Sequence, residues 1–242
     1  MIESGCDSAT LADDRACHGT AFSFFVCFDS VMRKSTILFL AIVCFCAALR
    51  AADLQPITLP APQTDGGKPL MQALQQRASQ REFAPDPLPL QILSNLLWAA
   101  WGVNRPDSGR RTAPSAMNRQ EMDVYVALAG GVFLYEAKDH RLAPVVPADL
   151  RAFTGTQSYV ATAPVNLIYV SRASGGSAED QAMNGGIQAG LISENVYLFC
   201  SSEGLATVVR GSINRDPLAR AMQLPAGRRI ILAQTVGYPA KK

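Results

Sequence analysis

The residues best able to do chemistry are arginines and small hydroxylic residues, gathered in two places. Arg77-Ala78-Ser79-Gln80-Arg81 puts two guanidinium groups and a hydroxyl within five residues, at the end of a predicted helix. Arginine presents a planar fork of donors that matches phosphate oxygens, and serine adds a short donor. On composition alone the same residues also read as a solvated, charged helix end. The second group is Arg110-Arg111-Thr112-Ala113-Pro114-Ser115-Ala116-Met117-Asn118. Pro114 fixes the backbone, and Ser115 and Ala116 are small enough for a flat ligand to approach closely. Asn118 offers a donor and an acceptor, which suits an imide edge, although an ordinary polar loop competes with this reading. A third stretch, Gly204-Leu205-Ala206-Thr207-Val208-Val209-Arg210-Gly211, could turn backbone N–H groups toward a ligand, or could be a helix cap followed by a strand.

Other chemistries lack residues. Of six cysteines and two histidines, only Cys200 and His140 lie beyond residue 51. A disulfide scaffold, a Cys/His zinc site and a haem-attachment motif are therefore excluded from that part of the chain. His140 stands in the charged turn Lys138-Asp139-His140-Arg141 and is expected to be solvated; Cys200, beside Leu198 and Phe199, is expected to be a core thiol. A hydrolase built on Ser115 and His140 lacks the G-x-S-x-G elbow. The glycines at 185, 186 and 190 do not follow a strand and lack the dinucleotide-binding spacing, and no P-loop is present. A formal net charge of +2 gives no footprint for nucleic acid. Catalysis by such a chain points to a borrowed cofactor.

The elements that must position these residues are legible in outline. Residues 52–66 are rich in proline and glycine and read as an extended arm. Pro69 opens one helix, and Pro87 and Pro89 open another that carries Leu90, Leu93, Leu97 and Trp101 to a stop at Gly102. Residues 103–120 read as one long polar loop. Strand-like runs at 122–136 flank Gly130-Gly131, and 164–172 reads as a buried strand. A long helix is predicted over 178–203, capped by Gly204 and interrupted in propensity by Gly185, Gly186 and Gly190. Each such glycine costs about 1 kcal/mol against alanine, so something must require them. A strand at 205–213, a short helix at 215–223 and a final strand at 229–238 complete an α+β domain over 67–242, a small, mainly antiparallel sheet packed by helices.

The N-terminal 51 residues read as a targeting segment behind an upstream extension. Arg33-Lys34 precede an apolar run from Ile37 to Leu49, followed by Ala51 and Ala52. That order matches a secretory signal starting at Met32, and 13 apolar residues fall short of the ~20 a spanning helix needs. An uncleaved anchor is the competing reading. Signal cleavage would leave a periplasmic or secreted protein with no membrane span.

Taken in order, these pieces resemble the nitroreductase-like FMN-binding family, in loop style closest to the branch with thiazole/oxazole dehydrogenases. The matching residues are Arg77-Ala78-Ser79-Gln80-Arg81, the helix ending Trp98-Ala99-Ala100-Trp101-Gly102, the Arg111-to-Asn118 loop, the long helix running into Gly204-Leu205-Ala206, and Val236-Gly237-Tyr238-Pro239. The likeness spans about residues 66–242. It departs from the family at Ala78, where arginine is frequent, and at Glu194-Asn195, where Gln-Asn is common. The resemblance implies FMN bound at a homodimer interface. Arg77, Ala78, Ser79 and Arg81 would hold the phosphate and ribityl chain, and Lys241 would add a basic group after the last strand. Pro114, Ser115, Ala116 and Asn118 would line the isoalloxazine from either subunit, and Gly204, Leu205 and Ala206 would place backbone donors beside it. It further implies an oxidoreductase passing a hydride through flavin N5 to a nitro compound, quinone or similar small molecule, with NAD(P)H as donor only if the protein is cytosolic. A non-catalytic flavin- or ligand-binding envelope protein of the same fold is the alternative.

Overall fold

In the computed structural model, residues 54–172 and 175–241 are described. The expectations for the signal segment lie outside them. The architecture is α+β. Seven strands form one sheet in the order β1-β6-β5-β4-β7-β9-β8, where β1 is Ile57–Thr58, β4 Met122–Leu128, β5 Gly131–Glu136, β6 Arg141–Val146, β7 Val165–Ser171, β8 Ala206–Arg210 and β9 Arg229–Gly237. Every pairing in it is antiparallel. A separate ribbon pairs β2, Val103–Arg105, with β3, Arg110–Arg111. Four α-helices accompany the strands among the described residues: α1 Leu70–Gln76, α2 Leu90–Trp101, α3 Ala178–Glu203 and α4 Arg215–Ala221.

The central strands carry long apolar runs, 124–128 in β4 and 167–170 in β7, because both faces are covered. Alternate residues of β4 and β7 serve two cores. Val124, Val126, Leu167 and Tyr169 pack with Leu96, Leu97 and Trp101 of α2 and Ile192, Val196 and Cys200 of α3. Tyr125, Ala127, Ile168 and Val170 pack with Leu218 of α4, Met222 and Ile230. Side chains of a strand alternate between faces with period two, so a strand buried on both sides reads as a continuous hydrophobic run.

α3 begins at a capping box between Ser177 and Asp180 and ends where Gly204 takes a left-handed φ of 72°. Of its three glycines, Gly185 is explained within the chain. A Cβ there would sit 3.2 Å from Ile231 Cδ1 and 3.4 Å from Ser171 Cβ, so glycine lets the helix approach the sheet. At Gly186 and Gly190 an added Cβ meets nothing within 4 Å. They share the outward face with Met183, Ile187 and Leu191, which are 58%, 56% and 41% exposed.

Three expectations change. The arm contains β1, which pairs with β6, and is pinned by Leu59 N–H to the His140 carbonyl and by Gln63 N–H to Asn95 Oδ1. β6 itself is invisible to periodicity because its sequence, RLAPVV, breaks alternation at Pro144, where β5 carries a register shift between Val132 and Phe133. The stretch 103–120 is not one open loop but the β2–β3 ribbon and two 3₁₀ turns, Pro106–Ser108 and Ala116–Asn118. Gln120 stitches it together: Oε1 accepts from Arg111 Nε at 2.7 Å, and Nε2 donates to the Gly109 carbonyl at 3.0 Å.

Candidate functional site

Two of the phosphate-type residues, Arg77 and Ser79, meet at one edge of α3. The α1 helix ends at Arg77, and the chain then runs past β8, with Gln80 N–H donating to the Thr207 carbonyl at 3.0 Å. Ser79 Oγ lies 2.7 Å from the hydroxyl of Tyr197, which also accepts from Val209 N–H at 3.0 Å. The Arg77 guanidinium stands 5.3 Å from the centroid of the Tyr197 ring. Beyond Arg81 the chain forms a short antiparallel contact with the C-terminal stretch. Phe83 bridges to Pro239, Ala84 N–H donates to the Tyr238 carbonyl and Ala240 N–H to the Glu82 carbonyl. That register sets Lys241 opposite Arg81. Arg81, Ser79 and Lys241 are exposed and Arg77 is half-buried.

The Pro-Ser-Ala loop sits elsewhere. Pro114, Ser115 and Ala116 line a cavity of about 340 Å³ with Ser171 and with Gly185, Ile187, Gln188 and Leu191 of α3. Ser115 Oγ accepts from Gln120 N–H at 3.1 Å, and Met117, Asn118 and Gln120 hold positive φ angles of 49°, 54° and 53°. Gln188 is only 7% exposed, yet its Nε2 has no hydrogen-bond partner. A buried amide without a partner costs about 1–3 kcal/mol, and Gln188 is among the residues that line this cavity. Sequence reasoning missed Gln188 because nothing in a helix sequence signals an unpaired amide.

The two groups cannot meet around one ligand within a single chain. Gln188 and Tyr197 are nine residues apart on α3, about two and a half turns, so their side chains leave opposite sides of the helix about 13 Å apart along its axis. The outward face with Gly186, Ile187 and Gly190 lies between them.

Several predicted residues are placed differently from expectation. The N–H groups of Gly204 and Leu205 both donate to the Cys200 carbonyl, the latter at 2.8 Å, and Ala206 is the first residue of β8. These donors close the helix and are not free for a ligand. Asn118 is exposed, lies outside the cavity lining, and its Oδ1 accepts from Gln120 Nε2 at 3.0 Å. Ala78 is exposed and contributes backbone only.

His140 is not solvated. Its Nε2 lies 2.7 Å from Ser94 Oγ and 3.1 Å from the Pro60 carbonyl, and its Nδ1 3.0 Å from the Tyr135 hydroxyl. Ser94 donates its proton to Pro60, so the neutral ring carries hydrogen on Nε2 and accepts from Tyr135 at Nδ1. Burial lowers its pKa from the usual 6.5. Both ring nitrogens are engaged, and no pair with Ser115 forms. Cys200 is fully buried, which pushes its thiol pKa upward and keeps it protonated.

Arg210 is the other unforeseen residue. It is 5% exposed and, among the described residues, forms no ion pair with a carboxylate: its guanidinium donates to the Thr154 carbonyl, Asn166 Oδ1 at 2.8 Å and Thr235 Oγ1 at 2.8 Å. Burial pushes its pKa down to about 10, so it remains a cation at neutral pH.

The nitroreductase family profile matches residues 74–238, most of the chain. This chain belongs to the nitroreductase family. A candidate nitroreductase from Methanocaldococcus jannaschii is 28% identical over 182 residues, covering 66% of this chain and 91% of the relative. The crystal structure of another candidate nitroreductase, from Ralstonia eutropha JMP134, is 44% identical, covers 78% of this chain and 91% of its own, and superposes with a TM-score of 0.75. The microcin synthetase complex McbBCD from E. coli shares the fold at 19% identity and a TM-score of 0.62, covering 69% of this chain and 70% of that one. As a nitroreductase-family protein, this chain is an oxidoreductase, and FMN is the cofactor the family generally binds.

Proposed function

We propose that this protein is an exported, homodimeric FMN-dependent oxidoreductase that delivers electrons to small organic acceptors such as nitro compounds or quinones. The observation that carries this is the split site. Phosphate-type donors and a ring-sized cavity with an unpaired buried amide flank the same glycine-bearing apolar face of α3, so a second copy docked there by a two-fold axis brings each half to its complement.

The residues present fit FMN. Arg77, Ser79, Arg81 and Lys241 would hold the phosphate through charge-assisted hydrogen bonds. Pro114, Ser115 and Ala116 of the other copy would line the ring, while Ile187 and Leu191 exclude water and Gln188 donates to a ring acceptor. Bound FMN supplies two-electron transfer. The protein needs no acid–base histidine for it, in keeping with a His140 wholly engaged in holding the arm.

Export rests on Arg33-Lys34 and the Ile37–Leu49 run. An exported enzyme does not meet cytosolic NAD(P)H, so the donor is then a different reductant.

The test is the absorbance spectrum of the purified protein, which should show bound flavin. Arg77→Ala should weaken FMN binding by about 1.5–3 kcal/mol, the range for a hydrogen bond to a charged group. A colourless protein that does not quench added FMN overturns the proposal. Bound flavin that no reductant reduces, or that no acceptor reoxidises, favours the non-catalytic binding protein. Recovery in the periplasmic fraction with a new N-terminus near residue 52 tests export.

A further inference from the structure

Tyr197 touches both Arg77 and Ser79, from a position 6% exposed on α3. Its three contacts have a fixed direction. The Val209 N–H can only donate, so the tyrosine oxygen accepts there. The tyrosine proton is then left for Ser79 Oγ, 2.7 Å away. Having accepted from Tyr197, the Ser79 hydroxyl carries its own proton outward, on the exposed side of the chain. Hydrogen bonds linked in series polarise one another, so this outward O–H is a strengthened donor. Beside it the Arg77 guanidinium rests near the face of the same ring, held by cation–π attraction, with no carboxylate among the described residues in an ion pair with it.

We propose that Tyr197 is a positioning residue that locks Ser79 as a donor and Arg77 in place, so that the site selects the phosphate-bearing flavin over riboflavin. A donor-locked hydroxyl next to an unneutralised guanidinium recognises an anionic acceptor. It gains far less from the neutral terminal hydroxyl of riboflavin. The inference rests on the FMN reading above and adds to it the residue that creates phosphate specificity. No sequence motif contains it: Tyr197 is 118 residues from Ser79, and only the packing of α3 against the chain after α1 brings them together.

The test compares wild-type protein with Tyr197→Phe and Tyr197→Leu, measuring FMN and riboflavin dissociation constants by fluorescence quenching and folding by circular dichroism. Phenylalanine keeps the ring under Arg77 and removes the hydroxyl. It should weaken FMN about tenfold, the scale of one charge-assisted hydrogen bond, and leave riboflavin unchanged. Leucine removes the ring as well and should weaken FMN further. Equal losses for both flavins mark a merely structural role and overturn the proposal, as does an FMN-to-riboflavin ratio in Tyr197→Phe equal to wild type, with the FMN reading intact. If the wild-type protein binds neither flavin, the FMN reading falls. Inorganic phosphate, followed through the backbone amide signals of residues 77–81, then decides for Tyr197. Weaker phosphate binding in Tyr197→Phe supports it; equal affinity or no binding overturns it.

Discussion

Replacing Gly190 with leucine separates two explanations for a glycine on the outward face of α3. Within one chain nothing opposes the change. A Cβ at 190 meets no atom within 4 Å, and leucine is a better helix former than glycine by about 0.8 kcal/mol. If this face met only water, the variant would be slightly more stable and otherwise unaltered. If α3 packs against its symmetry mate there, the side chain holds the two helices apart. What is then lost follows from Met183, Ile187 and Leu191, which are 58%, 56% and 41% exposed in one chain. Burying a large apolar side chain completely is worth about 1.5–3 kcal/mol, so each half-exposed residue contributes about 1 kcal/mol. A two-fold axis uses each residue twice, giving about 6 kcal/mol, or some four orders of magnitude in dimer dissociation constant. Analytical ultracentrifugation across a dilution series measures the shift, and the proportion of bound flavin should fall with the dimer. A Gly190→Leu protein that associates like wild type refutes this interface. A monomeric one that holds FMN as tightly as wild type refutes the composite site.

Gln188→Leu should act with opposite signs on stability and binding. Removing an unpaired buried amide should raise the flavin-free protein's unfolding free energy by about 1–3 kcal/mol while weakening FMN, read by denaturant titration and fluorescence quenching; a destabilised variant with unchanged affinity would sink the role given to it. His140 should make stability pH-dependent. Its folded pKa lies below the ordinary value near 6.5, so the unfolded chain takes up the proton first and stability falls as pH drops through 6.5, levelling off below the lowered folded value. Thermal unfolding from pH 8 to pH 5 should show this decline, and His140→Gln should flatten it; equal slopes in the two proteins would refute the assignment.

Legibility followed how local each cause is. The bounds of α3 were readable because its cap, Gly204, is a neighbour in sequence, and β7 because burial on both faces leaves an apolar run at 167–170. β6 was not, since its place in the sheet depends on pairing with β5 and β1 and survives a proline at a register shift. The arginine–serine cluster and the Pro-Ser-Ala loop were visible as residue types, whereas the commitment of Gly204 and Leu205 to the Cys200 carbonyl was not.

Sequence by itself determined the inventory: one histidine and one cysteine beyond residue 51, a phosphate-type cluster, a small-residue loop and three glycines in a long helix. Those are matters of composition and short spacing, and chain connectivity alone fixes them. Tertiary structure decided what each does. It engaged both nitrogens of His140, isolated the amide of Gln188 and set Tyr197 beneath Arg77. It also gave Gly185 a reason inside the chain while leaving Gly186 and Gly190 without one. Such outcomes depend on which side of a helix meets which strand, a long-range packing result that neighbouring residues do not encode.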